Sequence, residues 1–111
     1  MKIQVRTAGS ATILDLDGPL KLGPAQEQFR DQVQKLMDAG STHIAINLAG
    51  VTDLDSSGIG AFVRAYTSLT KAGGKCRFFA APKFVMQTLH MVRLDTVFDI
   101  AEDEASALAR F

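Results

Sequence analysis

Ile3 and Val5 alternate with polar neighbours at the start of the chain, Ile13 and Leu16 do so less strictly, and Ala8-Gly9-Ser10 lies between the two runs. A period of two marks a half-buried strand, so this pattern predicts an N-terminal hairpin. Gly18-Pro19 and Gly23-Pro24 punctuate the next segment, and Pro24 suits the first turn of a helix, where a missing N–H costs nothing. Phe29, Val33, Leu36 and Met37 then draw one apolar stripe on a helix ending near Gly40. "HIAINLAGV" is a short apolar run between turn signals and predicts a buried strand with Ile44, Ile46 and Leu48 on one face. Ile59, Phe62, Val63, Tyr66 and Leu69 return to helical spacing, closed by Gly73-Gly74. "CRFFA" predicts the next strand. Pro82 opens a third helix turning Val85, Leu89 and Val92 inward, "TVFDI" supplies a last strand, and "EDEASALARF" a short helix with acids at its N-terminal end.

The predicted order is β-β-α-β-α-β-α-β-α. Strands alternating with helices after a hairpin imply an α/β fold with a mixed sheet, antiparallel at its start and parallel afterwards. How the helices divide between the two faces does not follow from the pattern. The 111 residues make one domain, 1–111, large enough for a single core and without repeats of solenoid length.

Composition narrows the partners. Twelve Lys plus Arg balance twelve Asp plus Glu, and the basic residues are scattered, so nothing advertises direct nucleic-acid binding or an anionic membrane. The longest uncharged stretch, 39–52, falls short of the ~20 apolar residues of a membrane span, and the N-terminus lacks a signal-peptide run. Cys76 is the single cysteine and reads as a small core residue, which points to a cytoplasmic protein.

The stretch "DLDSSGIGAF", Asp53 to Phe62, falls in the turn between the third strand and the second helix. Turns at the carboxyl ends of strands in open α/β sheets are where functional residues collect. In its plainest form the stretch is only a helix start, since Asp55, Ser56 and Ser57 are all good N-cap residues and Gly58 with Gly60 would let the helix pack close to the sheet. A serine hydrolase would need G-x-S-x-G, but Leu54-Asp55 precede Ser56, and no spacing brings His43 or His90 to it as a base. Two isolated histidines also make no metal site. For a dinucleotide, Val63 stands where the third glycine of G-x-G-x-x-G belongs, and the phosphate-loop motif G-x-x-x-x-G-K-[S/T] does not occur. Neither a catalytic residue, a cofactor nor a metal is expected. The remaining alternative is that Ser56 accepts a phosphoryl group from another protein, because a helix N-terminus favours the resulting dianion. A thousandfold loss of partner affinity would need ~4 kcal/mol, within reach of one phosphate buried at an interface.

Resemblance adds to this. The segment from Ile46 to Ile100, with its strand ending in "NL", the D-S-S-G-I-G turn, the helix closing in "AGG", the proline-entered short helix and "LDTVF", resembles the STAS domain of bacterial anti-sigma factor antagonists. With the weaker "LDGPLKLG" and "FRDQVQKLMDAG" before it, the likeness spans nearly the whole chain. It implies a mixed sheet with helices largely on one side, and a non-enzymatic partner switch. The unphosphorylated antagonist would bind an anti-sigma factor that is also a serine kinase of the GHKL type, releasing a sigma factor; phosphorylation would end that binding and a PP2C-type phosphatase restore it. The modified serine would be Ser56. Asp55 would shape the turn or the kinase contact, Ser57 cap the helix, Gly58 and Gly60 permit close approach, and Asp53 and Leu54 lie on the contact surface. Many antagonists read "G-[D/E]-L-D" beside the switch turn, whereas this chain reads Gly18-Pro19-Leu20-Lys21, so Lys21 reverses the expected charge. The free domain is expected to be a monomer or weak dimer without membrane insertion. The alternative within the same fold is a STAS subunit of a lipid-transport complex or a stress-signalling scaffold without serine switching. A small hydrolase or nucleotide-binding enzyme is a third.

Two groups of residues have plainer expectations. Phe78, Phe79, Phe84 and Phe98 read as core or helix-packing aromatics. Asp95, Asp99, Glu102, Asp103 and Glu104 read as a solvated face and helix N-terminal acids, with a second partner surface as the alternative.

Overall fold

The computed structural model describes residues 1–111. Its elements are β1 (Lys2–Ala8), β2 (Ala11–Leu20), α1 (Pro24–Asp38), β3 (His43–Leu54), α2 (Ser56–Lys71), β4 (Lys75–Phe79), α3 (Lys83–Met91), β5 (Asp99–Ala101) and α4 (Glu104–Ala109). The five strands form one sheet in chain order. β1 and β2 make the antiparallel hairpin, and β2, β3, β4 and β5 run parallel. The expected α/β mixed sheet is therefore present.

Period two along the central strands sorts their side chains between two layers. Leu14 and Leu16 of β2, Ile44, Ile46 and Leu48 of β3, and Cys76 and Phe78 of β4 enter the main core with Phe29 and Val33 of α1, Phe62 and Leu69 of α2, and Val85 and Leu89 of α3. Edge contacts link Phe29 to Phe62 at 5.5 Å between ring centroids and Phe62 to Phe78 at 5.2 Å. Ile13, Ala45, Phe79 and Ala101 point the other way and meet Ala107 of α4. Three helices thus cover one face and the short α4 covers part of the other, which matches the expectation of helices largely on one side.

Several details differ from the pattern. β5 begins only at Asp99, because the N–H groups of Val97 and Phe98 both bond back to the Leu94 carbonyl and keep Thr96 and Val97 in a turn. Val63, Val92 and Phe84 are exposed, not inward. Ala61 and Ala65 are buried on α2, where they line the groove against α1, while Val63 lies off that face. Val92 is already the C-cap of α3, and Phe84 sits in its first turn beside the buried Val85. β2 also runs through Gly18-Pro19; β1 pairs no further than Asp17, so Pro19 lies where its missing N–H breaks no β1 ladder. The C-terminal acids are largely partnered. Asp99 pairs with Arg77 and Arg110, Glu104 with Arg6, and Asp95 with His90, while Asp103 caps α4.

Candidate functional site

β2 and β3 run side by side to a common end, with Leu20 opposite Leu54, so the loop after β2 and the turn after β3 emerge together. Asp55 joins them. Its backbone is extended (φ −111°, ψ −177°), as an N-cap requires, and one carboxylate oxygen accepts from the N–H of Gly58 at 3.0 Å. The other accepts from the N–H of Leu22 at 2.9 Å, in the neighbouring loop. These two donors, Leu22 first, hold the Asp55 carboxyl below the usual carboxylate range. Asp55 therefore bridges the two loops, and it takes the capping role expected of Ser57, which lies inside the first helical turn.

With the cap supplied from the preceding residue, Ser56 becomes the first helical residue, and it is exposed. Gly58 is buried directly behind it. A Cβ at Gly58 would stand 2.5 Å from the Leu20 carbonyl oxygen and 2.7 Å from a Leu54 methyl, so only glycine lets α2 start this close to the sheet. Gly60 differs from the expectation. A Cβ there would meet only the end of Arg64, at 3.5 Å, an ordinary contact, so no close approach depends on it.

Lys21 and Asp53 form an ion pair of 2.9 Å on the rim of the same turn, both about half exposed. Lys21 lowers the Asp53 carboxyl, helped by the N–H of Leu54, and Asp53 in turn raises the Lys21 ammonium. The charge reversal at Lys21 is thus answered within the chain by Asp53. Leu54 is half-buried and packs on the main core, so it contributes less surface than Asp53. Leu22, 76% exposed and tied by its N–H to Asp55, is an apolar surface residue of the turn that sequence reasoning did not single out. Its signal was present: Leu22 stands between Lys21 and Gly23-Pro24, in a turn-rich segment where a leucine has no apolar stripe to join.

The histidines lie elsewhere. His43 starts β3, at the opposite end of the strand from Ser56, and its ring packs on Phe111 at 5.8 Å. His90 bonds Asp95 at 2.7 Å beyond α3. Neither is placed to take a proton from Ser56. No three of His, Cys, Asp and Glu gather as metal ligands, and the groove of about 180 Å³ between α1 and α2, floored by Phe29, Val33 and Ala65, does not include Ser56. Cys76 is buried, and burial pushes its thiol up to about 12, so it stays protonated and inert.

Fold and turn together define a small α/β module with an exposed serine at the start of α2. A family model described as the STAS domain matches residues 2–107, and the chain belongs to that family. A search of curated protein sequences returns no match. Among solved structures, a Thermotoga maritima protein described as a candidate anti-sigma factor antagonist is similar with a TM-score of 0.91 at 20% identity, covering 97% of this chain and 92% of that one. An anti-sigma factor antagonist of Mycobacterium paratuberculosis gives 0.87 at 17% identity, over 98% and 92%. The Bacillus cell-fate determinant SpoIIAA in its phosphorylated form gives 0.76 at 22% identity, over 98% of both chains. The fold is that of anti-sigma factor antagonists. No helix is long and apolar enough to cross a membrane.

Proposed function

We propose that this chain is a non-enzymatic anti-sigma factor antagonist whose binding is switched by phosphorylation of Ser56. The observation that carries this reading is the exposed Ser56 at the first position of α2, with its cap supplied by Asp55 so that the hydroxyl is not needed to hold the helix. A phosphate at that position meets the positive end of a 16-residue helix and nearby backbone N–H groups, so modification leaves the fold in place. What changes is the surface. A partner lying over Ser56, Asp53, Lys21 and Leu22 would have to desolvate a phosphate of about −1.5 to −2 charges. In the unmodified state the partner is an anti-sigma factor with serine-kinase activity of the GHKL type, and a PP2C-type phosphatase resets the switch. The chain acts in the cytoplasm as a monomer or weak dimer, affects transcription only through the sigma factor released, and needs no cofactor.

The test is a pull-down from lysate of the source cell with Ser56→Ala and Ser56→Asp baits, bound proteins being identified by mass spectrometry. Retention of a GHKL-type kinase by the alanine form and its loss from the aspartate form is the expected result. Recovery of the same transporter or scaffold subunits on both baits would replace this reading with that of a STAS assembly module.

A further inference from the structure

Two carboxylates that do different work, Asp53 and Asp55, precede Ser56. Both oxygens of Asp55 are engaged by backbone N–H groups, of Leu22 and Gly58, so Asp55 is fixed in place. Asp53 has one backbone donor, the Leu54 N–H at 2.8 Å, and its other oxygen is held by a flexible cation. Lys21 and Asp53 are 53% and 54% exposed at their side chains, and an exposed pair of this kind is weak and readily exchanged. Leu22, the neighbour of Lys21, donates its N–H to Asp55 at 2.9 Å, so the loop that carries Lys21 lies against the residue directly before Ser56. Arg64, one turn beyond Gly60 on α2, leans back over Gly60 and is the other cation directed toward the start of the helix.

We propose that Lys21 is an exchangeable counter-ion, paired with Asp53 when Ser56 is unmodified and with the phosphate when Ser56 is phosphorylated. This rests on the assignment of Ser56 as the phosphorylated residue. Lys21, Asp53 and Asp55 sum to about −1 in the unmodified turn, and the phosphate takes the sum to about −3. A dianion competes for the single mobile ammonium against a monoanion, and Coulomb attraction scales with the charge. Lys21 therefore moves, and Asp53 is left exposed, without a counter-charge and with only the Leu54 N–H as partner. The switch gains a second element by this route: a partner returning to the phosphorylated turn meets an uncompensated carboxylate at residue 53 as well as the phosphate. The lysine at 21, in place of an acidic residue, is what makes the exchange available to this chain.

The experiment installs phosphoserine at position 56 during translation, so it does not depend on any cellular kinase, and failure of the pull-down leaves its outcome unaffected. Phosphate titration is followed by 31P NMR and the Asp53 carboxylate by 13C NMR, in wild-type, Lys21→Gln, Arg64→Gln and Lys71→Gln chains. Folding of each is checked by its amide spectrum. In the unmodified chain, Lys21→Gln is expected to raise the Asp53 pKa. In the phosphorylated chain, Asp53 is expected to be raised already and to respond little to Lys21→Gln, while the second phosphate pKa rises by about half a unit from its ordinary value near 6. Lys71→Gln, at the far end of α2, is expected to change neither. A phosphate titration indifferent to Lys21→Gln overturns the proposal, as does a phosphate that responds to Arg64→Gln in its place.

Discussion

Asp55 is the residue on which the turn depends, because its carboxylate accepts both from Gly58 in its own helix and from Leu22, 33 residues earlier in sequence. Asp55→Ala removes the cap of α2 and leaves the Leu22 N–H without its acceptor; the thermal midpoint is expected to fall by several degrees, measured by circular dichroism. Its depressed pKa carries a sign. The folded state binds the Asp55 proton less readily than the unfolded chain does, so its stabilising contribution is complete above the ordinary carboxylate value of about 3.9 and is lost as pH falls through the lower folded value. Asp55→Asn is accordingly expected to flatten the acid limb of the stability curve below about pH 4, and an unchanged limb would contradict this assignment. The position of Ser56 at the strand-to-helix turn was legible in the sequence. Which of Asp55, Ser56 and Ser57 caps the helix was not, since all three can, and the choice is made by where β3 stops and by the Leu22 N–H from a separate loop. The Lys21–Asp53 pair was hidden for the same reason: its members lie at the ends of two different strands.

At the scale of elements, the close approach of α2 to the end of β2 separates two glycines that look alike in the motif. Gly58→Ala drives a methyl into the Leu20 carbonyl and is expected to cost about 2 kcal/mol in urea unfolding. Gly60→Ala places a methyl in open helix interior beside the movable end of Arg64 and is expected to stabilise by up to ~1 kcal/mol. Equal effects of the two substitutions would contradict the packing described. The helical stripes were legible wherever large residues face the core, as with Phe29, Val33, Val85 and Leu89. They misled where small residues do the burying. Ala61 and Ala65 sit between α1 and α2 while the larger Val63 stays outside, an outcome decided by how closely two helices approach and not by hydrophobicity alone. The last strand was over-extended for a related reason: Thr96 and Val97 have strand-forming side chains, but their backbone belongs to the turn closed on Leu94.

Across the whole molecule, the hairpin followed by parallel strands was legible from the alternation of periods, but the allocation of helices to faces was not, because each helix carries only one apolar stripe. The placement of α4 turns on Arg77, an almost fully buried cation on β4 that bonds Asp99 of the neighbouring strand, donates to the Ala107 carbonyl at 2.9 Å and lies 4.8 Å over the Phe111 ring. Asp99→Ala strands that buried charge and is expected to destabilise by roughly 3 kcal/mol, with hydrogen exchange rising first in α4. This face is remote in the fold from Ser56: α4 contacts β3, β4 and β5, whereas the turn meets the end of β2 and the start of α2. Anchoring of α4 and switching at the turn can therefore be perturbed separately. The most direct measurement of the central claim is the affinity of the captured kinase for the purified chain, unmodified and carrying phosphoserine at 56, by titration calorimetry. The account predicts a loss of about a thousandfold on phosphorylation, equivalent to ~4 kcal/mol, with the fold unchanged. Equal affinity of the two forms would contradict it and leave Ser56 as nothing more than the first residue of a helix.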